Sequence, residues 1–367
     1  MQLLGLSTTE LENALTQMGE PKFRGRQIAA WLYRKGATGF DAMTDLPQAL
    51  RERLKTEHSF DFPLVAARHQ SRDGSAKLLL QMSDGEQIET VRLPFADRLS
   101  VCVSSQAGCA MACQFCATGL GGFRRNLTAA EIIAQPLLAV RNAECEVRSE
   151  EVQNSALRTP HSALSHIVFM GMGEPLLNLD NVLKSIHLLH DEMEIPLRHI
   201  TVSTVGIING IRKLAEQNLP LTLAVSLHAA DDDLRHRLIP TSRKTRVAEI
   251  VEATRDYVST TGRRATFEYV LLGGVNDSAQ LAQKLAKYCK GWPCHVNIIP
   301  WNAVPDATLE GALFTSPTPA ATREFKAILE RAGIAVTQRV QRGADVAAAC
   351  GQLRALDKKP QIELVAK

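Results

Sequence analysis

Cys109, Cys113 and Cys116 fall on one short stretch, Cys109-Ala-Met-Ala-Cys113-Gln-Phe-Cys116. Spacings of three and then two intervening residues fold three thiols onto one loop. Three thiolates can hold three irons of a cubane cluster and leave the fourth iron open to a ligand. The alternative is a structural zinc site completed by Cys102 or a histidine. Eight cysteines in 367 residues, with no basic and apolar leader pattern at Met1-Gln2-Leu3-Leu4, do not read as a disulfide framework. A metal centre is the better use of that crowding.

A second constellation, Gly171-Met172-Gly173-Glu174-Pro175, directly follows the apolar run Ile167–Met170. Glycines at a strand end let backbone approach a ligand closely. Free carbonyls and the Glu174 carboxylate accept hydrogen bonds from an ammonium group. The plainer alternative is a strand-to-helix turn with a solvated glutamate. Cys350 sits among small residues in Ala347-Ala348-Ala349-Cys350-Gly351, which leaves its thiol unobstructed, and Cys102 lies near the end of an expected strand. Either can equally be a buried, inert cysteine. Cys145, Cys289 and Cys294 are read as structural. Glu89 alternates with Ile88 and Thr90, so it faces away from them in a strand; on residue type alone it is a surface glutamate.

These groups need elements to carry them. Ser7-Thr8-Thr9-Glu10 reads as a capping box before a first helix, with further helices over 24–35 and 47–55. Phe62-Pro63 disfavours helix. Residues 77–82 and 87–93 flank Ser83-Asp84-Gly85 as a hairpin. After Phe95, strands expected at 99–104, 166–170, 199–204, 221–227, 265–272, 295–300 and 335–340 alternate with helical patterns at 129–140, 181–190, 211–217, 247–259, 279–290 and 319–332. That rhythm predicts an α/β fold with a parallel sheet, a full or partial barrel. The polar stretch 143–165 reads as a loop on one rim. The expected organisation is a small N-terminal helical domain over 1–60, a hairpin and linker over 61–94, a barrel over 95–343 and a C-terminal segment over 344–367. Chemistry in a barrel sits at the C-terminal strand ends. Cys109 follows such an end, and so do Ser203, Ser226, Leu227, His228 and Asn302. Hydroxyls, an imidazole and an amide there can fix a ribose and an amino-acid carboxylate.

Composition adds bounds. No apolar run approaches the roughly 20 residues of a membrane span, and a cytoplasmic enzyme is expected. A net charge of +3 permits an acidic partner without demanding one, so local clusters carry that argument. Lys22, Arg24, Arg26, Arg34 and Lys35 interleave with Phe23, Trp31 and Tyr33; Arg124-Arg125, Arg235-His236-Arg237, Arg243-Lys244 and Arg263-Arg264 follow later. Such clusters suit phosphates and splayed bases, or are merely solvated faces.

The three cysteines followed by Gly171–Pro175 resemble the radical S-adenosylmethionine superfamily. Cys102–Gln106, Phe123–Leu127, Ser203–Gly206, Ser226–His228, Phe267–Tyr269, Val275–Asp277, Pro300–Asn302 and Ala349–Gly351 occur in the order of the RlmN/Cfr family of RNA adenine methyltransferases, a likeness that covers nearly the whole chain. The resemblance implies a partial (βα)6 radical S-adenosylmethionine barrel and one 4Fe-4S cluster on Cys109, Cys113 and Cys116. It implies S-adenosylmethionine binding at Gly173, Glu174, Ser203, Ser226, Leu227, His228 and Asn302. It makes Cys350 a methyl carrier, Cys102 the thiol that releases the product through a transient disulfide, and Glu89 a proton acceptor. The implied reaction uses two S-adenosylmethionine molecules per methyl and modifies carbon 2 of an adenosine in 23S ribosomal RNA and in the anticodon loop of some tRNAs. The Cfr branch would instead modify carbon 8; chain length and the N-terminal helices lean toward carbon 2. A monomer served by an electron donor such as flavodoxin is expected. A rival of another class is a non-catalytic, zinc-stabilised RNA-binding protein, and a second is a radical enzyme acting on a small molecule or protein.

Overall fold

Ser7 caps the first helix as its sequence predicts. Its hydroxyl accepts the Glu10 amide at 3.2 Å, and the Glu10 carboxylate accepts the Ser7 amide at 2.7 Å, a reciprocal cap of ~1 kcal/mol. In this computed structural model, which describes residues 1–147 and 164–354, the N-terminal part consists of α1 (Thr8–Gln17), α2 (Phe23–Tyr33) and α3 (Gln48–Glu57). Leu11, Leu15, Ile28, Leu32, Leu50 and Leu54 are buried together, in one apolar core continuous with that of the barrel. Gly25 allows α2 to press against α1: a Cβ there would stand 2.4 Å from the Glu12 amide nitrogen.

The chain then enters β1 (Leu64–Gln70), β2 (Ala76–Gln81) and β3 (Gln87–Pro94), an antiparallel ribbon. Strand β4 (Leu99–Cys102) pairs antiparallel with β3 and parallel with β7 (Leu164–Phe169). Between them lie the two-stranded β5 (Gln106–Gly108) and β6 (Phe123–Asn126), the short α4 (Ala117–Leu120) and α5 (Ala129–Val147). Five further βα crossovers carry the sheet onward through α6 (Leu179–His187), β8 (Ile200–Thr204), α7 (Ile208–Glu216), β9 (Thr222–Ser226), α8 (Asp232–Leu238), α9 (Val247–Thr261), β10 (Ala265–Leu271), α10 (Ala279–Cys289), β11 (Cys294–Pro300), the small hairpin β12 (Thr308–Leu309) and β13 (Ala312–Leu313), α11 (Pro319–Arg331) and β14 (Ala335–Gln338). The strand order is β1-β2-β3-β4-β7-β8-β9-β10-β11-β14. It is an open, partial barrel of seven parallel strands extended at one edge by the ribbon, and among the described residues β14 does not pair with β1.

The expected rim loop over 143–165 differs at both ends. The helix runs on to Val147 and the strand begins at Leu164; 148–163 lie outside the described residues. Strand β1 was not expected from the sequence and converts the linker into sheet. After β14 the chain turns back across the gap to the ribbon. Asp345 accepts from the Ser71 hydroxyl at 2.6 Å and the Arg72 amide at 3.2 Å, Asp73 accepts the Gly343 amide at 2.9 Å, and Arg342 donates to the Pro94 carbonyl.

Candidate active site

The parallel strands point their C-terminal ends at one mouth, and the loops there build one cavity. It is lined by Cys109, Cys113 and Cys116 from the loop after β5, by Gly171, Gly173 and Glu174 after β7, and by Ser203, Ser226 and His228 from the ends of β8 and β9. Asn302 and Cys350 line it from the far side. Residues nearly the whole barrel apart in sequence thus meet on one wall.

The cysteine loop is held by its backbone. The Cys109 amide donates to Gly122 at 2.8 Å, the Gln114 amide to Leu238 at 3.0 Å and the Ala117 amide to Gly351 at 2.7 Å. Gly173 adopts φ +102°, and a Cβ there would sit 2.6 Å from the Gln106 side chain and 2.7 Å from its backbone nitrogen. Only glycine lets the β7 loop press this close. The next residue, Glu174, donates its amide to Gln106 Oε1 at 2.9 Å. Its carboxylate accepts the amides of Leu176 at 3.0 Å and Val205 at 2.8 Å. Burial outweighs those donors and raises Glu174 to about 7.

His228 is also fixed. It holds φ +59°, unusual for a residue with a Cβ. Its Nδ1 accepts the Val270 amide at 3.1 Å, which leaves the proton on Nε2. Burial, then the nearby Arg235, lowers it to about 3, so the ring is neutral. Asn302 Nδ2 donates to the Cys350 carbonyl at 2.9 Å; its buried Oδ1 has no partner among the described residues. That orphaned acceptor, at the cavity wall, suits a donor on a bound ligand.

The residues also suit an anionic metal centre. Arg235 is 1 % exposed. Its Nε donates to the Leu227 carbonyl at 3.2 Å and Nη2 to the Val205 carbonyl; Nη1 has no partner among the described residues. Burial lowers the guanidinium to about 10, and the charge of Cys113 opposes that. A buried cation with a spare N–H beside thiols is costly unless a negative group faces it. Burial raises Cys109 to about 12 and also raises Cys113, with the charge of Cys116 adding to both. Bound metal would have to displace those protons.

Cys350 also lines a second cavity, with Cys102, Val91, Phe95, Met170 and Arg339. Asn302, Met170, Ile299, Arg339 and Cys350 belong to both cavities, so Cys350 stands in the wall between them. Cys102 is buried and pushed up to about 12 by burial and by the Cys350 charge. Both are free thiols, as are Cys289 and Cys294, which lie in the core away from the cavities. The side chain of Cys145 is outside the described set.

Not every expected site residue reaches the cavity. Leu227 is fully buried in the core beside it and contributes its carbonyl to Arg235. Glu89 is buried on the ribbon behind the Cys350 segment, paired with Lys77 at 2.9 Å. Conversely, Arg339 lines the cavity and carries no signal in spacing, and Glu268 lines it too, marked in the sequence only by the Phe267–Tyr269 motif. Cys350 holds the Arg339 guanidinium above its ordinary value, with Glu268 and Cys102 adding to that. Glu268 accepts from Asn297 at 2.8 Å.

The basic clusters divide. Arg235 is internal. Arg125 is consumed by Asp84 and Glu131. Arg263 and Arg264 precede β10 and so lie at the end of the barrel opposite the cavity. Tyr33 is buried, donating to Leu6 and accepting from Gly5. Arg124, Arg243 and Lys244 remain exposed, as does Phe23. Trp31 carries Lys35 over its ring at 4.1 Å.

Comparison with known proteins agrees with this geometry. Residues 1–59 match the family model of the ribosomal RNA large subunit methyltransferase N-terminal domain, and residues 103–285 match the radical SAM superfamily. A probable dual-specificity RNA methyltransferase RlmN of Thermosynechococcus vestitus is 45% identical, over 96% of this chain and 98% of its own. That of Syntrophomonas wolfei is 44% identical, over 96% and 97%. The crystal structure of a radical SAM methyltransferase from Sphaerobacter thermophilus superposes with a TM-score of 0.88 at 44% identity, covering 96% of this chain and 99% of that one.

Proposed function

We propose, from the premise that the chain belongs to the RlmN family of radical S-adenosylmethionine RNA methyltransferases, that it methylates carbon 2 of adenosine in two RNAs. These are 23S ribosomal RNA, at the peptidyl-transferase centre, and some tRNAs, in the anticodon loop. The observation that carries the reading is the single cavity bordered by Cys109, Cys113, Cys116, Glu174 and Cys350.

The chemistry explains why a thiol must take part. Carbon 2 of adenine lies between two electron-withdrawing ring nitrogens and is no nucleophile, so it cannot displace a sulfonium methyl. A thiolate can. Cys350 Sγ receives the methyl and presents it at the cavity wall. When bound to Cys109, Cys113 and Cys116, a 4Fe-4S cluster supplies the electron for S-adenosylmethionine radical chemistry. Gly173 and Glu174 hold the amino-acid end of S-adenosylmethionine, Ser203, Ser226 and neutral His228 its ribose side, and Asn302 Oδ1 accepts a donor from it. Cys102, across the second cavity, attacks the Cys350 sulfur to release product. Glu89, on the ribbon behind the Cys350 segment, accepts the ring proton. The exposed Arg124, Arg243 and Lys244 meet RNA phosphates, and the target base is unpaired or flipped to reach the cavity.

Among the described residues no helix is long and apolar enough to cross a membrane. A cytoplasmic monomer reduced by a flavodoxin-type donor completes the reading. Anaerobically reconstituted protein should convert adenosine to 2-methyladenosine in ribosomal RNA fragments and tRNA, read by nucleoside mass spectrometry. Formation of 8-methyladenosine, or undiminished methylation by Cys350→Ala, overturns it.

A further inference from the structure

The ribbon β1–β3 is an addition to the parallel sheet, and it carries a charge pair on the face opposite its core side. Leu78, Leu80, Ile88 and Thr90 point into the core. On the other face Lys77 stands opposite Val91 and Leu79 opposite Glu89, which makes Lys77 and Glu89 diagonal neighbours. Lys77 Nζ lies 2.9 Å from Glu89 Oε1, with the side chains only 9% and 6% exposed. A buried pair of this kind adds little stability over apolar residues of the same volume. Its second set of bonds is more telling. Lys77 Nζ donates to the Ala347 carbonyl at 3.1 Å. Glu89 Oε2 accepts the Arg354 amide at 2.8 Å. Both bonds reach backbone of one segment, and they bracket Cys350. Across that segment, the Ala117 amide and Asn302 side chain hold the Gly351 and Cys350 carbonyls.

We propose that Lys77 is a positioning residue: with Glu89 it grips both flanks of the loop 347–354 and keeps Cys350 Sγ on the wall shared by the two cavities. The proposal rests on the reading of Cys350 as the methyl carrier. Because the grip is on backbone, it fixes where the thiol stands without touching it. A misplaced thiol leaves S-adenosylmethionine cleavage running while the methyl fails to reach RNA, since small displacements of a reacting group are expensive.

The test compares wild type, Lys77→Met, Lys77→Arg and the double variant Lys77→Met/Glu89→Gln, all as anaerobically reconstituted full chains. Loss of one charge-assisted bond predicts about tenfold more frequent loop opening. Hydrogen exchange at the Arg354 amide and alkylation of Cys350 by iodoacetamide should both rise by about that factor in Lys77→Met. Methylated RNA formed per 5′-deoxyadenosine should fall about tenfold, with deoxyadenosine formation itself within about twofold of wild type. Lys77→Arg should restore the ratio. If Lys77→Met folds poorly because Glu89 is left unpaired, the double variant removes both charges and still lacks the bond to the Ala347 carbonyl, while the glutamine side chain of Glu89→Gln keeps an acceptor for the Arg354 amide. Wild-type exchange and alkylation in that double variant, or an unchanged ratio in Lys77→Met, overturn the proposal. Methylation by Cys350→Ala would instead overturn the carrier reading, whatever the loop does.

Discussion

Arg235→Met separates a cation that merely braces the fold from one that answers an anion. Burial lowers the guanidinium from its ordinary value to about 10; at ~1.4 kcal/mol per tenfold change in proton affinity, keeping it charged costs the metal-free fold roughly 3 kcal/mol. Methionine removes that cost and fills similar volume. It also strips donors from the Leu227 and Val205 carbonyls, each worth about 1–3 kcal/mol when left unpaired. The two effects largely cancel, so the denaturation free energy of metal-free protein should move by no more than ~3 kcal/mol. The loaded protein has no such compensation, because the facing charge persists after the arginine has gone. Iron should be lost to a chelator at least about tenfold faster, the factor that ~1.4 kcal/mol supplies. Anaerobic denaturant titration and chelator kinetics on the two forms measure both quantities. Equal iron retention, or a loss of more than ~4 kcal/mol in the metal-free protein, refutes the reasoning.

Gly173→Ala should cost roughly 3 kcal/mol, from a Cβ at φ +102° driven into the Gln106 backbone; a thermal midpoint within a degree of wild type would contradict it. His228 titrates near 3 in the fold and at 6.5 when unfolded, so the unfolded chain binds the proton first. Stability is full above about pH 6.5 and falls toward pH 3 by up to ~1.4 kcal/mol per pH unit. His228→Asn, which tolerates the same φ, should flatten that fall in urea titrations, and an unchanged slope between pH 7.5 and 5 argues against it. Glu192 accepts the Thr8 amide at 2.6 Å and its hydroxyl at 2.7 Å, tying α1 to the barrel. Glu192→Gln should lower stability by about 1–2 kcal/mol, and an unfolding free energy equal to wild type disproves the tie.

The parallel strands were legible because buried strands between amphipathic helices carry a strong pattern, and the Ser7 cap because its chemistry is local. Strand β1 was not, since Leu-Val-Ala-Ala-Arg-His-Gln has no alternation and lies at an edge, largely accessible. The β5–β6 pair is three and four residues long, below any periodicity. The cysteine loop and Gly171–Pro175 could be found because metal and ligand chemistry constrains spacing. Arg235 could not: its residue type argues for solvent, and only the tertiary course of α8 puts it under the cysteine loop. Glu89 was correctly assigned to the face away from Ile88 and Thr90. Its burial comes from the C-terminal segment crossing that face, which no local pattern records.

The return of the chain from β14 to the ribbon has a consequence for access. A closed eight-stranded barrel packs its interior with side chains and admits no polymer. Here the ring is shut by a strap buckled through Asp345, Asp73 and Arg342, and a buckle of side-chain bonds can be undone without unzipping a single row of backbone pairing. The segment that spans the gap between the two sheet edges is therefore the same one that bears Cys350, and it is held there by side-chain bonds rather than by a strand ladder.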